Sequence, residues 1–139
     1  MLDGGAGLCL VLHVDAGADP LDRPPLLVAL GDRAAWAQTA SGSVADMDED
    51  RAATLASEVG GKAFRVDVTD AEAVRAMVAF AEAEFGALHL AVNNAGISGQ
   101  HPAPLGEYDV DIWRRVIDVN LNSVFYSLRH QLPAIERAG

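Results

Sequence analysis

Four places in the second half of this 139-residue chain carry side chains suited to hold or transform a small molecule: Asp46, the pair Asp67-Val68, the run Asn93-Asn94-Ala95-Gly96, and Asn120. Asp46 closes the short apolar run "SVAD". A carboxylate at a strand end accepts both hydroxyls of a ribose and repels a 2'-phosphate. The competing reading is helix electrostatics, since Asp46, Asp48, Glu49 and Asp50 crowd what would be the positive end of a helix dipole. Residue type alone does not separate the two.

Asp67 lies in "DVTD". Its carboxylate is suited to accept from an exocyclic amine while Val68 lies against an adenine ring, although any strand end followed by a threonine cap has the same composition. Asn93 to Gly96 is more specific. Side-chain amides bridge neighbouring strand backbones, and small Ala95 and Gly96 let the main chain approach a flat ligand. A plain Asx turn does not require two asparagines followed by Ala-Gly. Metal chemistry is not expected: His13, His89, His101 and His130 are far apart and Cys9 is the single cysteine.

Elements must hold these residues at strand ends. "SVAD" reads as a strand, and "EDRAATLASEV" follows with Ala52, Leu55, Ala56 and Val59 at helical spacing before Gly60 and Gly61 end it. "KAFRVDV" alternates as a strand. The next helix, "TDAEAVRAMVAFAEAEFG", has Thr69 and Glu72 spaced as a capping box and a stripe of Val74, Met77, Val78, Ala81 and Phe85. "LHLAVNNAG" is nearly continuous in apolar residues, which implies a strand buried on both faces. A long helix over 109–137 puts Ile117, Leu121, Val124, Phe125, Leu128, Leu132 and Ile135 on one face and Asn120, Ser123 and Ser127 on another. Strands alternating with helices predict an α/β fold, a partial Rossmann-like doubly wound parallel sheet with flanking helices. In such sheets ligands bind beyond the carboxyl ends of the strands, which is where the four places fall.

Residues 1–43 differ from the rest. They hold three of the six prolines and six of the thirteen glycines, with only short apolar runs such as "LCLVLHV" and "LLVAL". Two accounts compete. In one, "LLVAL" is a working first strand joined through Gly31 and a short helix around Ala34 to Gln38. In the other, the segment is misassigned, out-of-frame coding sequence; the abrupt composition break favours the second. The expected organisation is an atypical segment 1–43 followed by a partial dinucleotide-binding domain, 44–139.

Charge and composition narrow the partners. Twenty acidic residues stand against nine arginines and one lysine, for a formal net charge of -10, so no basic stripe exists to bind nucleic acid. The apolar run Leu8 to Val14 is too short to span a membrane, and no basic residue precedes it as in a secretory signal. With one cysteine, a reducing cytoplasm is the expected compartment.

Asp46, "DVTD", "VNNAG" and "VIDVNLNSVF" occur in the order and spacing of one family: residues 44 to 139 resemble the short-chain dehydrogenase/reductases. The first Asn of "NNAG" and the Asn of "VNL" stand 27 positions apart, a paired signal stronger than either alone. The resemblance implies hydride transfer between a nicotinamide and an alcohol or carbonyl substrate. It implies Asn120 as catalytic, supporting a water in a proton relay, and Asp46, Asp67, Val68, Asn93, Ala95 and Gly96 as cofactor-binding. Asp46 followed by Met47 rather than Arg points to NAD over NADP. The family's helix at 109–137 packs in a dimer, which implies a homo-oligomer. Two departures stand against activity. No three glycines here have the spacing of the family's pyrophosphate-binding turn, and neither Tyr108 nor Tyr126 has a lysine four residues on, so Ser and Tyr-x-x-x-Lys are absent. The expectation is a fragment of an oxidoreductase, itself inactive; the alternative is a non-catalytic dimerisation module using the long helix.

Overall fold

The computed structural model describes residues 9–14, 40–99 and 104–139. Its organising strand is β2 (Ala40–Asp46). Successive strand side chains point to opposite faces. Val44 therefore packs with Ala52 and Ala56 on one side, while Ala45 packs with Val66, Met77 and Leu88 on the other. Helices thus cover both faces, as a doubly wound α/β sheet requires.

Helix α1 (Glu49–Val59) starts at Asp48, whose carboxylate accepts from the Arg51 N–H at 3.1 Å, and stops at Gly60, φ 69°. The second glycine has a different job. A Cβ on Gly61 would fall on the Gly42 carbonyl oxygen, so a bare backbone is needed where the chain turns back beside β2. Strand β3 (Lys62–Arg65) then pairs parallel with β2, Ser43 opposite Lys62 and Asp46 opposite Arg65.

Helix α2 (Ala71–Phe85) buries Val74, Met77, Val78 and Ala81 as the stripe predicts, with Phe85 half-buried, and ends at Gly86, φ 83°. Its cap differs from the expected box. Asp70 caps it, accepting from the Glu72 and Ala73 N–H groups, while Glu72 pairs with Arg75 at 2.8 Å. Thr69 is drawn away because its hydroxyl donates to the Asp67 carboxylate at 2.7 Å, a charged and therefore stronger acceptor.

Strand β4 (Leu90–Asn93) is half-buried at all four positions rather than fully covered. It is the edge of the described sheet, whose order is β3-β2-β1-β4. Strand β1 (Cys9–Val14) lies between β2 and β4 and runs antiparallel to both, with Cys9 opposite Ala45 and Asn93 and Val14 opposite Ala40. Consequently β2, β3 and β4 run one way and β1 alone is reversed. "LLVAL", the turn around Ala34 to Gln38, and residues 100–103 of the loop after β4 lie outside the described residues.

The long helix is a rod in three parts: α3 (Val110–Ile117), a π turn (Asp118–Asn122) and α4 (Ser123–Ala138). Asp109 caps it through the Asp111 and Ile112 N–H groups. The side turned to the protein is the one that carries Ser123 and Ser127. Ser123, Ser127, Gln131 and Ala134 are buried, and Leu121, Phe125, Leu128 and Leu132 are exposed. Arg137 ties α4 to α2 through Glu82 at 2.8 Å. No helix among the described residues is long and apolar enough to cross a membrane.

Candidate cofactor site

Three strands that run the same way bring their carboxyl ends to one edge, and a cleft opens there. Its lining includes Asp46 from β2, Asp67 and Val68 after β3, and Ala95 and Gly96 after β4. Five of the residues singled out in the sequence therefore meet at one place. Two stand apart: Asn93 and Asn120 do not line it.

The Asp46 carboxylate is 2% exposed as a residue, and Oδ1 accepts from the Asp48 N–H at 3.0 Å. The cap on α1 is made by Asp48 instead, so the acidic cluster divides its labour: Asp48 serves the helix and Asp46 the strand end. Arg51 places Nη2 3.5 Å from Oδ2, an ion pair without hydrogen-bond alignment, and Oδ2 has no hydrogen-bond partner among the described residues. A buried oxygen in that condition is costly and is suited to accept from an incoming hydroxyl.

Asp67 is exposed, and its Oδ1 accepts from the Thr69 hydroxyl and from the Thr69 N–H at 3.0 Å. These two bonds hold its carboxyl below the usual 3.8; partial burial opposes them, and the positive charges of Arg115 and Arg65 assist. The group stays ionised and acceptor-only, as recognition of an amine requires.

Asn93 and Gln131 exchange both amide hydrogen bonds, at 2.8 and 2.9 Å, joining the end of β4 to α4. Asn93 is thus engaged in holding the strand end beneath Ala95 and Gly96. Asn120 does similar work from the π turn: Oδ1 accepts from the Ile97 N–H at 2.9 Å and Nδ2 donates to the Ile97 carbonyl at 3.0 Å. Its side chain copies a backbone ladder and clamps the loop to the helix. Sequence reasoning did not single out Met47, Val66, Arg115 or Val119 as lining residues. For the last two a signal existed, because Arg115 and Val119 stand one helical turn apart just before Asn120.

The enoyl-(acyl carrier protein) reductase family model matches residues 33–139. The chain belongs to the short-chain dehydrogenase/reductase family. It is 46% identical over 101 residues to cyclohexanol dehydrogenase of Acinetobacter sp. strain SE19, covering 69% of this chain and 40% of that protein. It is 43% identical to cis-4-hydroxycyclohexanecarboxylate dehydrogenase of Sinomonas cyclohexanicum, over 70% of this chain and 39% of that one. Among solved structures, 3-ketoacyl-(acyl-carrier-protein) reductase from Brucella melitensis, complexed with NADH, superposes with a TM-score of 0.63 at 28% identity, covering 67% of this chain and 39% of the other. The chain thus spans about two-fifths of the length of these relatives.

The site can be tested against a nicotinamide dinucleotide part by part. The adenosine end fits: a buried carboxylate oxygen without a hydrogen-bond partner, an ionised second carboxylate and small backbone-exposing residues share one cleft. For the pyrophosphate the described residues build no cradle. Because β1 is reversed, the chain leaves it at Val14 beside Ala40, at the end of the sheet opposite Asp46.

Proposed function

We propose that this chain is the adenosine-binding part of an NAD-dependent oxidoreductase acting on an alcohol or carbonyl substrate in the cytoplasm, and that these 139 residues do not themselves turn over. The single observation that carries the reading is the cleft joining Asp46, Asp67, Val68, Ala95 and Gly96. When bound, the nicotinamide supplies the hydride chemistry. What the residues here contribute is binding. Asp46 Oδ2 accepts from the ribose diol, Asp67 accepts from the adenine amine, and Val68 lies against the ring.

Asn93 and Asn120 act through the main chain they hold, fixing the ends of the loop that carries Ala95 and Gly96. With both amide atoms of Asn120 engaged by Ile97, its expected part in a proton relay would have to come from its main chain in the π turn. No proton donor completes the chemistry, since neither tyrosine precedes a lysine by four residues.

Asp46 sets the cofactor preference. A 2'-phosphate beside its carboxylate is repelled, by roughly 4 kcal/mol per pair of unit charges at about 4 Å and an effective dielectric of about 20. NAD should therefore bind at least about tenfold tighter than NADP. Titrating both into the purified chain tests this, and equal affinities would refute it. Incubation with NAD and cyclohexanol, chosen from the name of a relative, should give no NADH absorbance above blank; clear turnover would overturn the inactive reading.

A second reading has its own observation. Leu121, Phe125, Leu128 and Leu132 form an exposed apolar stripe on α3–α4, with Phe125 59% exposed. Patches of that kind mark association, so the rod serves as a homo-oligomer surface. Light scattering that shows size rising with concentration supports it, and a strict monomer counts against it. For the segment ahead of residue 33 we infer an origin outside the family, because the strand it contributes is reversed in an otherwise parallel set. Translating the flanking DNA in three frames tests that: a glycine-rich turn in another frame supports it, and its absence refutes it.

A further inference from the structure

We infer that Arg115 is an adenine-binding residue, its guanidinium plane covering the base at the mouth of the cleft. The inference rests on the adenosine reading of the site and adds a residue to it. Arg115 lines the cleft together with Asp67 and Val68. It shares a helix face with Val119, one turn further on. Val119 is buried and Arg115 exposed, so this side of the rod grades from apolar at the bottom of the cleft to cationic at its opening.

The two neighbouring arginines are not equivalent. Arg114 is held by Asp111 at 3.1 Å, whereas the Arg115 guanidinium has no ion pair or hydrogen bond among the described residues. Its charge acts on Asp67 through space, helping to keep that carboxylate ionised. No aromatic side chain is among the described residues lining the cleft. A purine seated there meets aliphatic groups, carboxylates and one planar cation. A guanidinium is flat, weakly hydrated and stacks on aromatic faces, which an ammonium does not reproduce. Its contribution at an exposed site corresponds to roughly two- to fivefold in affinity.

Calorimetric titration of the whole chain with adenosine and with ADP-ribose tests the assignment, using Arg115→Ala and Arg115→Lys beside the wild type. The expected result is a loss of about fivefold in Arg115→Ala for both ligands, with little recovery in Arg115→Lys and unchanged thermal midpoints. Unaltered affinity in Arg115→Ala overturns the inference. So does a loss confined to ADP-ribose, which makes Arg115 a phosphate contact, or full recovery by lysine, which makes it a simple charge. If the wild type binds neither ligand, the adenosine reading itself fails and Arg115 with it; a failure of Arg115 alone leaves wild-type binding intact.

Discussion

Asp67 shows how a single side chain at the cleft bears on stability. Its folded carboxyl lies below the usual 3.8, mainly through Thr69. A group depressed on folding stabilises the native state above its unfolded value and loses that contribution as pH falls through the folded one. Thr69→Ala should therefore cost under about 1 kcal/mol at neutral pH, the carboxylate being exposed. The cost should vanish below the folded value, where Asp67 is protonated in both proteins. Carbon-detected titration of the Asp67 carboxyl should report a value nearer 3.8 in the variant; an unchanged value would remove Thr69 as the cause. The lining residues Asp46, Asp67, Val68, Ala95 and Gly96 were legible in the sequence because each follows an apolar run that must be a strand. The partner of Asn93 was not, since Gln131 lies 38 positions away and a glutamine in a helix carries no mark of what it faces.

Elements were legible where capping chemistry is local. Asp48 and Gly60, Asp70 and Gly86, and Asp109 bound the helices close to their expected limits. Two features escaped for a physical reason. An apolar stripe is ordinarily the buried face of a helix, but α4 buries Ser123, Ser127, Gln131 and Ala134, with Gln131 held by Asn93 and with Tyr126 and Ile135 against the core. The direction of β1 escaped because "LCLVLHV" pairs equally well either way. Antiparallel pairing brings opposed Hα atoms close, so Hα–Hα cross-peaks should join Leu10 to Val44 or Val11 to Ser43; their absence with parallel-type contacts would contradict the topology. In the core, Met77→Ala removes a fully buried side chain between α2 and the sheet. It should cost about 2–5 kcal/mol, read as a fall in thermal midpoint, and a change under about 1 kcal/mol would show the packing to be misassigned.

At the scale of the whole molecule, the sheet is, on the proposed reading, half of a dinucleotide site. Three parallel strand ends form the cleft, and the reversed β1 carries the chain to the opposite end of the sheet. This division makes adenosine, rather than the whole dinucleotide, the natural ligand unit. The most direct test is equilibrium titration of the 139-residue chain with ADP-ribose, in wild type and in Asp46→Ala. Saturable one-site binding, lost by about tenfold or more in the variant while its thermal unfolding remains cooperative, is the predicted result. Absence of binding, or binding indifferent to Asp46, would contradict the account.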